Sequence, residues 1–208
     1  MYTAFIFDID GTLINTEQAV LGSLRKMLKA SYNREMDLAD LAFALGIPGA
    51  VSLRQLGIED VEHANKCWNE LMRDYRHTIH VFDGIGELLA ELRDYPVLKG
   101  VVTSKTSQEY LDDFVPFGLV RDLPFALCAD DTNRHKPHPE PLLTFLEISG
   151  ARADSTIYIG DTVYDYECAR DAGVDFGLAL WGCRQPDIIP AKYKFEHPKD
   201  ILTLMNRP

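Results

Sequence analysis

Five short apolar runs recur along this chain and constrain its fold more than any other feature. Each is too short for a helix, and most are followed directly by Gly, Asp, Thr or Ser, which is typical of buried strands. Segments with the helical spacing of apolar residues separate the later runs. Strands are predicted at residues 4–7, 98–102, 125–128, 156–159 and 176–180, and helices at 85–92, 110–117, 141–148 and 166–172.

The alternation of strand and helix predicts how these elements are arranged. Repeated strand–helix units form a parallel sheet with helices on both of its faces. The expected fold class is therefore α/β, with a Rossmann-like parallel sheet as its core. Ligands of such sheets bind at the carboxyl ends of the strands, so the polar residues that follow each run are the candidates for function.

An insertion interrupts this rhythm after the first strand. Residues 8–84 separate that strand from the helix near residue 85, about 77 residues, which is far more than an ordinary crossover contains. The region has helical patterning at 17–28, 38–45, 51–56 and 61–75, divided by Gly46, Pro48 and Gly57. We expect an α/β core of residues 1–14 and 83–208 and an inserted small α-helical cap of residues 15–82.

Charge and composition exclude several classes of partner. The net charge of −11 repels nucleic-acid backbones and anionic membranes, so an anionic substrate would need a local cation or a metal. The N-terminus lacks the pattern of a secretory signal, and no apolar run approaches the roughly 20 residues of a membrane span. A cytoplasmic location is expected. The four cysteines are scattered without metal-type spacing and are expected to be reduced.

Two acids follow the first apolar run. Asp8 and Asp10 are two residues apart, and in an extended backbone this spacing points both side chains to the same face. Two uncompensated carboxylates in one pocket are unfavourable, so a divalent cation or a shared proton is expected. Mg²⁺ suits such hard oxygen ligands, with substrate phosphate completing its coordination.

Small and hydroxylated residues lie beside these acids at the predicted sheet edge. Gly11 follows Asp10 and would let backbone N–H groups approach an anion closely. Thr103 and Ser104 end the second run, and their hydroxyls could donate hydrogen bonds to phosphate oxygens. These three residues are predicted to contact the substrate.

A lysine and two further acids complete the constellation. Lys136 precedes a predicted helix and could neutralise both a nucleophile and a phosphate. Asp161 follows the fourth run directly and is predicted to complete a metal site. Asp165 lies four residues later, where a helix begins.

Four ordered segments resemble the motifs of the haloacid dehalogenase superfamily. They are FDIDGTL, VVTS, KPHPEP and GDTVYDYECARDAG, and they span the chain from Asp8 to Gly173. Each is a weak signal alone, but all four in order, each placed after a predicted strand, are a strong one. The helical insert is similar to the cap of the phosphoglycolate phosphatase-like branch.

The resemblance implies a role for each matching residue. Asp8 would be the nucleophile that forms an aspartyl-phosphate, and Asp10 would protonate the leaving oxygen and later deprotonate water. Mg²⁺ would be held by the Asp8 carboxylate, the Asp10 carbonyl and Asp161, with Asp165 anchoring its waters or Lys136. Thr103 and Lys136 would contact the phosphoryl oxygens. The expected activity is hydrolysis of a small phosphate monoester, and the expected ligand is a small phosphorylated metabolite. The protein is expected to be a monomer or a homodimer.

Several residues keep two interpretations. Arg54 lies in GIPGAVSLRQLG, which looks like the substrate-facing loop of the branch, so it is either a substrate ligand or a surface arginine. His135 is either a titrating group near the site or a surface histidine. Lys105 is interpreted as a solvent-facing charge. Trp68 and Trp181 are interpreted, like Tyr75, as core aromatics.

Three other activities are compatible with parts of the pattern. A phosphomutase shares the aspartyl-phosphate, but mutases of this branch usually carry a histidine four residues after the position of Thr16, where this chain has Val20. A metal-independent haloacid dehalogenase would not need Asp10 or Asp161. A phosphate-accepting switch module without turnover is disfavoured by the helical insert and by the order of DxDGT.

Overall fold

The computed structural model describes residues 1–205 and has the expected α/β class. The strands are β1 (Ala4–Phe7), β2 (Ile14–Asn15), β3 (His80–Val81), β4 (Leu98–Val102), β5 (Phe125–Leu127), β6 (Thr156–Gly160), β7 (Asp175–Ala179) and β8 (Tyr193–Phe195). The α-helices are α1 (Glu17–Tyr32), α2 (Gly49–Gln55), α3 (Val61–Tyr75), α4 (Ile85–Glu91), α5 (Ser107–Asp113), α6 (Glu140–Ser149) and α7 (Val163–Asp171).

Within the described chain, six parallel strands form the main sheet in the order β5-β4-β1-β6-β7-β8. Counted along the chain, these strands have the doubly wound order 3-2-1-4-5-6, in which the winding direction reverses beside the first strand. β1 pairs on one side with β4 and on the other with β6. The carboxyl ends of these three central strands therefore lie together at the reversal point, where sheets of this type bind ligands.

The sheet buries both of its faces, as a parallel sheet should. Successive residues of β1 alternate between two apolar clusters, because Phe5 and Phe7 pack on one side and Ile6 on the other. Ile157 and Tyr158 of β6 divide in the same way. α4 supplies apolar residues to the first cluster, whereas α6 and α7 cover the second.

The insert has an apolar core of its own. Leu21 and Leu24 of α1 pack there with Leu53 of α2 and Trp68 of α3. The chain enters the insert after β2 and leaves it at β3, and these two short strands pair with each other in antiparallel fashion, apart from the main sheet. This pairing joins the two connections between insert and sheet and lies at the predicted boundaries of the cap.

The structure corrects one predicted helix, and it contains three strands, β2, β3 and β8, that the sequence pattern does not predict. The helix expected over 38–45 is not formed, and only Ala42–Ala44 makes a 3-10 turn. Leu38 is 37% exposed, so the apolar residues of this segment do not share one buried face. β8 was not predicted, because its three residues lie at the sheet edge and include only one buried side chain, that of Phe195.

In the part of the chain that the structure describes, no helix is both long enough and apolar enough to cross a membrane.

The four cysteines are free thiols in these residues, and Cys128 and Cys168 are buried. Burial raises the pKa of the Cys168 thiol to about 12, which keeps it protonated. These thiols act as packing residues.

Candidate active site

Asp8 follows β1 directly and has almost no contact with solvent. Its side chain is 2% exposed, and its backbone N–H donates to the carbonyl of Ile159 at 2.8 Å. Lys136 donates to Oδ1 of Asp8 at 2.6 Å. Oδ2 of Asp8 is buried and has no hydrogen-bond partner among the described residues. A buried carboxylate oxygen without a partner is costly, so its presence points to a bound group or to a reaction.

Gly11 lets the chain turn sharply after the two acids. Its φ angle is +82°, and a Cβ at this position would overlap the Asp161 carboxylate. Its N–H donates to the carbonyl of Ile14 at 2.8 Å. Gly11 therefore brings the turn against Asp161, while its own N–H, which we expected to approach an anion, is used within the turn.

Lys136 lies at the centre of the buried polar network. Besides Asp8, its ammonium donates to Oδ1 of Asp165 at 2.7 Å and to the hydroxyl of Tyr158 at 3.1 Å. These three acceptors use the three N–H groups of the ammonium. Burial alone lowers the pKa of Lys136, but Asp165 and Asp8 outweigh it and raise the pKa. Lys136 is therefore a fixed cation.

Asp165 connects this network to the start of α7. Its Oδ2 accepts hydrogen bonds from the hydroxyl and the N–H of Thr162, at 2.6 and 3.0 Å, and the Thr162 hydroxyl caps the helix in return. Its Oδ1 accepts from Lys136. Because both oxygens have protein donors, the geometry favours the role of anchoring Lys136 over direct metal ligation.

Three carboxylates meet at the ends of β1 and β6. Oxygen atoms of Asp8, Asp161 and Asp165 lie within 4.8 Å of one another, and all three residues are buried. Thr12, which is also buried, donates a hydrogen bond to Asp161 at 3.2 Å. With Lys136 as the adjacent cation, three negative charges and one positive charge leave an excess of two negative charges, which one divalent cation would balance.

The acidities of these groups reflect the crowding. Burial raises the pKa of Asp161 well above its usual range, and the charges of Asp165 and Asp8 add to this effect. Burial also raises the pKa of Asp8, against the opposing pull of Lys136. Both carboxylates would hold protons more tightly than usual unless further positive charge is present. The donor set therefore fits a hard divalent cation such as Mg²⁺.

Thr103 and Ser104 follow β4 at the same sheet edge. The Thr103 hydroxyl is buried and accepts a hydrogen bond from the N–H of Lys105 at 3.1 Å, so its own hydrogen is free to be donated elsewhere. Ser104 donates to the carbonyl of Gly46 in the insert at 2.8 Å. Ser104 thus links the sheet to the insert.

The interpretation of Lys105 as a solvent-facing charge is wrong. Its side chain is 7% exposed, and its ammonium lies 3.0 Å from Oδ1 of Asp10 and 3.8 Å from Oδ2 of Asp113. Burial lowers the pKa of Lys105, but Asp10 and Asp113 outweigh burial and raise it. Asp10 itself is 20% exposed and also accepts a hydrogen bond from the hydroxyl of Thr16 at 2.7 Å.

A cleft lies between the insert and the sheet edge above these residues. Its free space, including the open mouth, is about 650 Å³. One side is formed by Asp8, Asp10 and the residues after β4, and the other by one face of α3 and the loop before α2. The residues of the insert that line it are Val20, Ala44, Leu45, Gly46, Ile47, Gly49, Asn65, Trp68, Asn69 and Met72.

Arg54 does not reach this cleft. It lies near the end of α2, is exposed, and does not line the space above Asp8. The structure therefore agrees with the surface interpretation of Arg54. His135 is partly buried beside Lys136, with its Nδ1 lacking a hydrogen-bond partner among the described residues.

Comparison with known proteins identifies the family. The family model described as haloacid dehalogenase-like hydrolase matches residues 5–179, a span that contains every site residue described above. The chain belongs to the haloacid dehalogenase-like hydrolase family. The fold and the superfamily resemblance drawn from the four motifs are thereby confirmed.

Named relatives in this hydrolase family cover nearly the whole chain. The pyrophosphatase PpaX of Halalkalibacterium halodurans is 27% identical over 192 residues, covering 88% of this chain and 86% of that protein. The phosphoglycolate phosphatase of Xylella fastidiosa is 28% identical over 211 residues, covering 98% of this chain and 91% of that protein. A crystal structure from Lactobacillus plantarum, of a protein provisionally described as a phosphoglycolate phosphatase, has a TM-score of 0.90 at 31% identity, covering 98% and 99%. The expectation of an enzyme with phosphatase relatives is confirmed.

Sequence reasoning missed several members of this hydrolase site. Tyr158 looked like a strand residue, yet its hydroxyl contacts Lys136 and Asp165. The sequence predicts no role for Thr12, which donates to Asp161, or for Lys105, which lies beside Asp10. The signal available for Lys105 was its position two residues after Thr103, since a charge this close to the end of a buried strand lies at the ligand-binding edge.

Proposed function

We propose that this chain is a Mg²⁺-dependent phosphatase that hydrolyses a small phosphate monoester through a phosphoaspartate on Asp8. One observation carries the proposal: Asp8 is buried at the reversal point of the sheet, where one oxygen accepts from Lys136 and the other has no partner within residues 1–205. Such an oxygen is suited to attack phosphorus, because the lysine holds the carboxylate in place and solvent does not cover it. The names of the relatives support the same reaction class.

The acidic cluster provides ligands for Mg²⁺. The Asp8 and Asp161 carboxylates would hold the ion together with the backbone carbonyl of Asp10. Asp165, the remaining predicted metal residue, would support the site from outside through Lys136, since both of its oxygens accept protein hydrogen bonds. When bound, the ion supplies positive charge that offsets the carboxylates and the phosphoryl oxygens, so that two anions can approach.

The reaction has two displacement steps at phosphorus. In the first, an oxygen of Asp8 attacks, the bond to the ester oxygen breaks, and protonated Asp10 gives its proton to the departing alcohol. In the second, ionised Asp10 takes a proton from the attacking water, the bond to Asp8 breaks, and inorganic phosphate leaves. Both residues return to their starting forms.

Fixed groups would stabilise the charge that develops on the phosphoryl oxygens. The Lys136 ammonium is held by Asp8, Asp165 and Tyr158, so it would act through its positive charge without rearrangement during transfer. The buried Thr103 hydroxyl has a hydrogen free to donate. The cleft under the insert would exclude bulk water while a small substrate is bound.

The substrate is proposed to be a small phosphorylated metabolite of the phosphoglycolate type. The cleft is bounded by the insert, which favours a compact substrate over a polymer, and the charge of −11 disfavours nucleic acid. A cytoplasmic location and a monomeric or homodimeric state remain predictions.

Hydrolysis is favoured over mutase chemistry by the lining of the cleft. Val20 lines the space above Asp8 and Asp10, at the position where mutases of this branch usually have a histidine. A valine cannot exchange protons with a substrate hydroxyl. The cleft therefore favours transfer to water.

The test is a panel of phosphate esters assayed with Mg²⁺ and with a chelator. Phosphoglycolate, pyrophosphate, a nucleoside monophosphate and a sugar phosphate would be compared by release of inorganic phosphate. We expect repeated turnover of at least one compound with Mg²⁺ and loss of activity with the chelator. Halide release from a haloacid in the presence of chelator would instead establish the dehalogenase. Dependence on a bisphosphate activator would establish the mutase, and one persistent phosphorylation per chain would establish the switch.

A further inference from the structure

In the described part of the chain, the carboxylate of Asp10 is held through only one of its two oxygens. Among residues 1–205, its polar side-chain contacts are the Thr16 hydroxyl at 2.7 Å and the Lys105 ammonium at 3.0 Å, and both end on Oδ1. Asp10 lines the cleft together with Lys105. With Oδ1 engaged, Oδ2 is left as the oxygen that can exchange a proton with substrate or water.

Lys105 is itself rigidly placed. Its N–H donates to the Thr103 hydroxyl at 3.1 Å, and its carbonyl accepts from the N–H of Ala129 at 2.7 Å. Its side chain is buried, so its ammonium lacks the mobility of a surface lysine. A cation fixed at both backbone and side chain can hold a neighbouring carboxylate in a single orientation.

A second contact connects Lys105 to the insert. Asp113 of α5 lies 3.8 Å from the Lys105 ammonium, and its other oxygen lies 3.4 Å from Nε of Arg76. Arg76 begins the 3-10 turn Arg76–Thr78, which follows α3 and precedes the return to the sheet. Charged groups thus run without interruption from Asp10 through Lys105 and Asp113 to the base of the insert.

We propose that Lys105 is a positioning residue that orients Asp10 for proton transfer to the leaving group. Through Asp113 and Arg76, this orientation depends on the position of the insert relative to the sheet. The proposal rests on the proposed phosphatase function. Lys105 acts through Asp10, so its removal should weaken the proton-donor step and leave phosphoryl transfer to good leaving groups largely intact.

The leaving group of the substrate provides the test. An alkyl phosphate needs a proton donor, whereas 4-nitrophenyl phosphate releases a stable phenolate without one. For both esters, kcat/KM covers the steps up to formation of phosphoaspartate. Lys105→Met is expected to lower kcat/KM for the alkyl phosphate by about 10- to 100-fold and for the aryl phosphate by roughly threefold or less. Lys105→Arg, which keeps the charge, should recover part of the loss.

Combined variants separate positioning from other roles. In an Asp10→Asn background, Lys105→Met should have little further effect on the alkyl phosphate, because the group it positions is gone. Asp113→Asn and Arg76→Gln should also lower kcat/KM more for the alkyl phosphate than for the aryl phosphate, but by smaller factors than Lys105→Met. Lys26→Met removes an exposed lysine of the insert, paired with Asp74, and is the matched control expected to leave both rates unchanged.

The outcomes are distinguishable. Equal losses on both esters, or an additive effect in the Asp10→Asn background, would overturn the positioning role in favour of structural support or direct substrate binding. If Lys105→Met does not fold, as judged by circular dichroism, Lys105→Arg and Asp113→Asn decide by the same substrate comparison. If the wild-type protein with Mg²⁺ hydrolyses neither ester, the proposed function itself fails, and this inference fails with it.

Discussion

At Asp8, burial and charge act in opposite directions. Burial raises the pKa of the carboxyl, while Lys136 lowers it. A nucleophile has to be ionised, so the site needs more positive charge than Lys136 alone supplies, and the adjacent acids increase that need. This is the residue-scale reason for expecting Mg²⁺.

Replacing the proposed nucleophile gives the most direct test at this scale. Asp8→Asn should reduce phosphate release to below about 1% of wild type, because an amide oxygen cannot form the phosphoaspartate. Circular dichroism should show an intact fold, since asparagine is of similar size. Asp154→Asn, an exposed acid paired with Arg152, is the control expected to retain full activity. Ordinary turnover by Asp8→Asn would exclude the mechanism.

The raised pKa of Asp161 predicts how metal and pH affect stability. In the folded protein this carboxyl keeps its proton at pH values where the unfolded chain, with a pKa near 3.8, has released it. Its ionisation therefore weakens folding as the pH rises through that window. Metal-free Asp161→Asn cannot ionise and should melt at a higher temperature than metal-free wild type at pH 8.

Adding Mg²⁺ should reverse that order. At a concentration 100 times its Kd, a bound ion stabilises the folded state by about 2.7 kcal/mol. Thermal melting should therefore show a rise for wild type and little change for Asp161→Asn. An equal rise in both proteins would place the ion elsewhere.

At the scale of elements, the start of α7 combines helix capping with function. Thr162 exchanges hydrogen bonds with Asp165, and Asp165 holds Lys136. Gly160, the last residue of β6, has no space for a side chain, since a Cβ there would lie 2.6 Å from the Cγ of Asp165. The end of β6 and the first turn of α7 therefore act as one unit that places the acids.

Thr162→Ala tests whether that unit matters for catalysis. Loss of the cap should lower the free energy of unfolding by about 1 kcal/mol. Oδ2 of Asp165 would lose the Thr162 hydroxyl and keep the Thr162 N–H, and this weaker hold on Asp165 should also lower kcat by about tenfold, as is typical for groups that orient site residues. Asp60→Ala removes the cap of α3, where Asp60 accepts from the N–H of His63, and should lower stability alone. Denaturant unfolding and phosphate release measure the two effects, and equal kcat values in both variants would contradict the prediction.

At the scale of the whole molecule, the insert contacts the sheet through polar side chains and through Ala19, Met72 and Ile79, which pack into the apolar cluster on one face of the sheet. Ser104 donates to Gly46, Asn69 donates to Glu109 at 3.1 Å, and Arg76 pairs with Asp113. These three polar contacts are partly exposed, so they can break and re-form during turnover. The predicted role of residues 15–82 as a cap depends on that motion.

Hydrogen exchange can detect the motion. Mg²⁺ with beryllium fluoride, a mimic of the phosphoryl group on aspartate, should raise protection at residues 42–49 and 65–76 as the insert closes. Asp8→Asn cannot hold the mimic and should show no change. Increased protection confined to the ends of the central strands would mean that the insert does not act as a cap.

The sequence by itself determined the α/β class, and it predicted the insert and the role of the acids at the strand ends. These predictions rest on the local periodicity of apolar residues and on the polar residues that come directly after buried strands. Both signals can be recognised from neighbouring residues in the chain. β8 was missed because an edge strand of three residues has too few buried side chains to leave a pattern. The segment 38–45 was misjudged because helical spacing does not ensure a shared buried face.

Only the tertiary structure decided which side chains meet. Lys105 and Asp10 are 95 positions apart in the chain, and Lys136 contacts Tyr158 and Asp165, which are 22 and 29 positions away and lie beyond α6. Local sequence cannot distinguish a buried lysine from a solvated one, because burial depends on what other segments pack against it. The parallel sheet brings these distant residues to one edge, and their charges and acidities are set there.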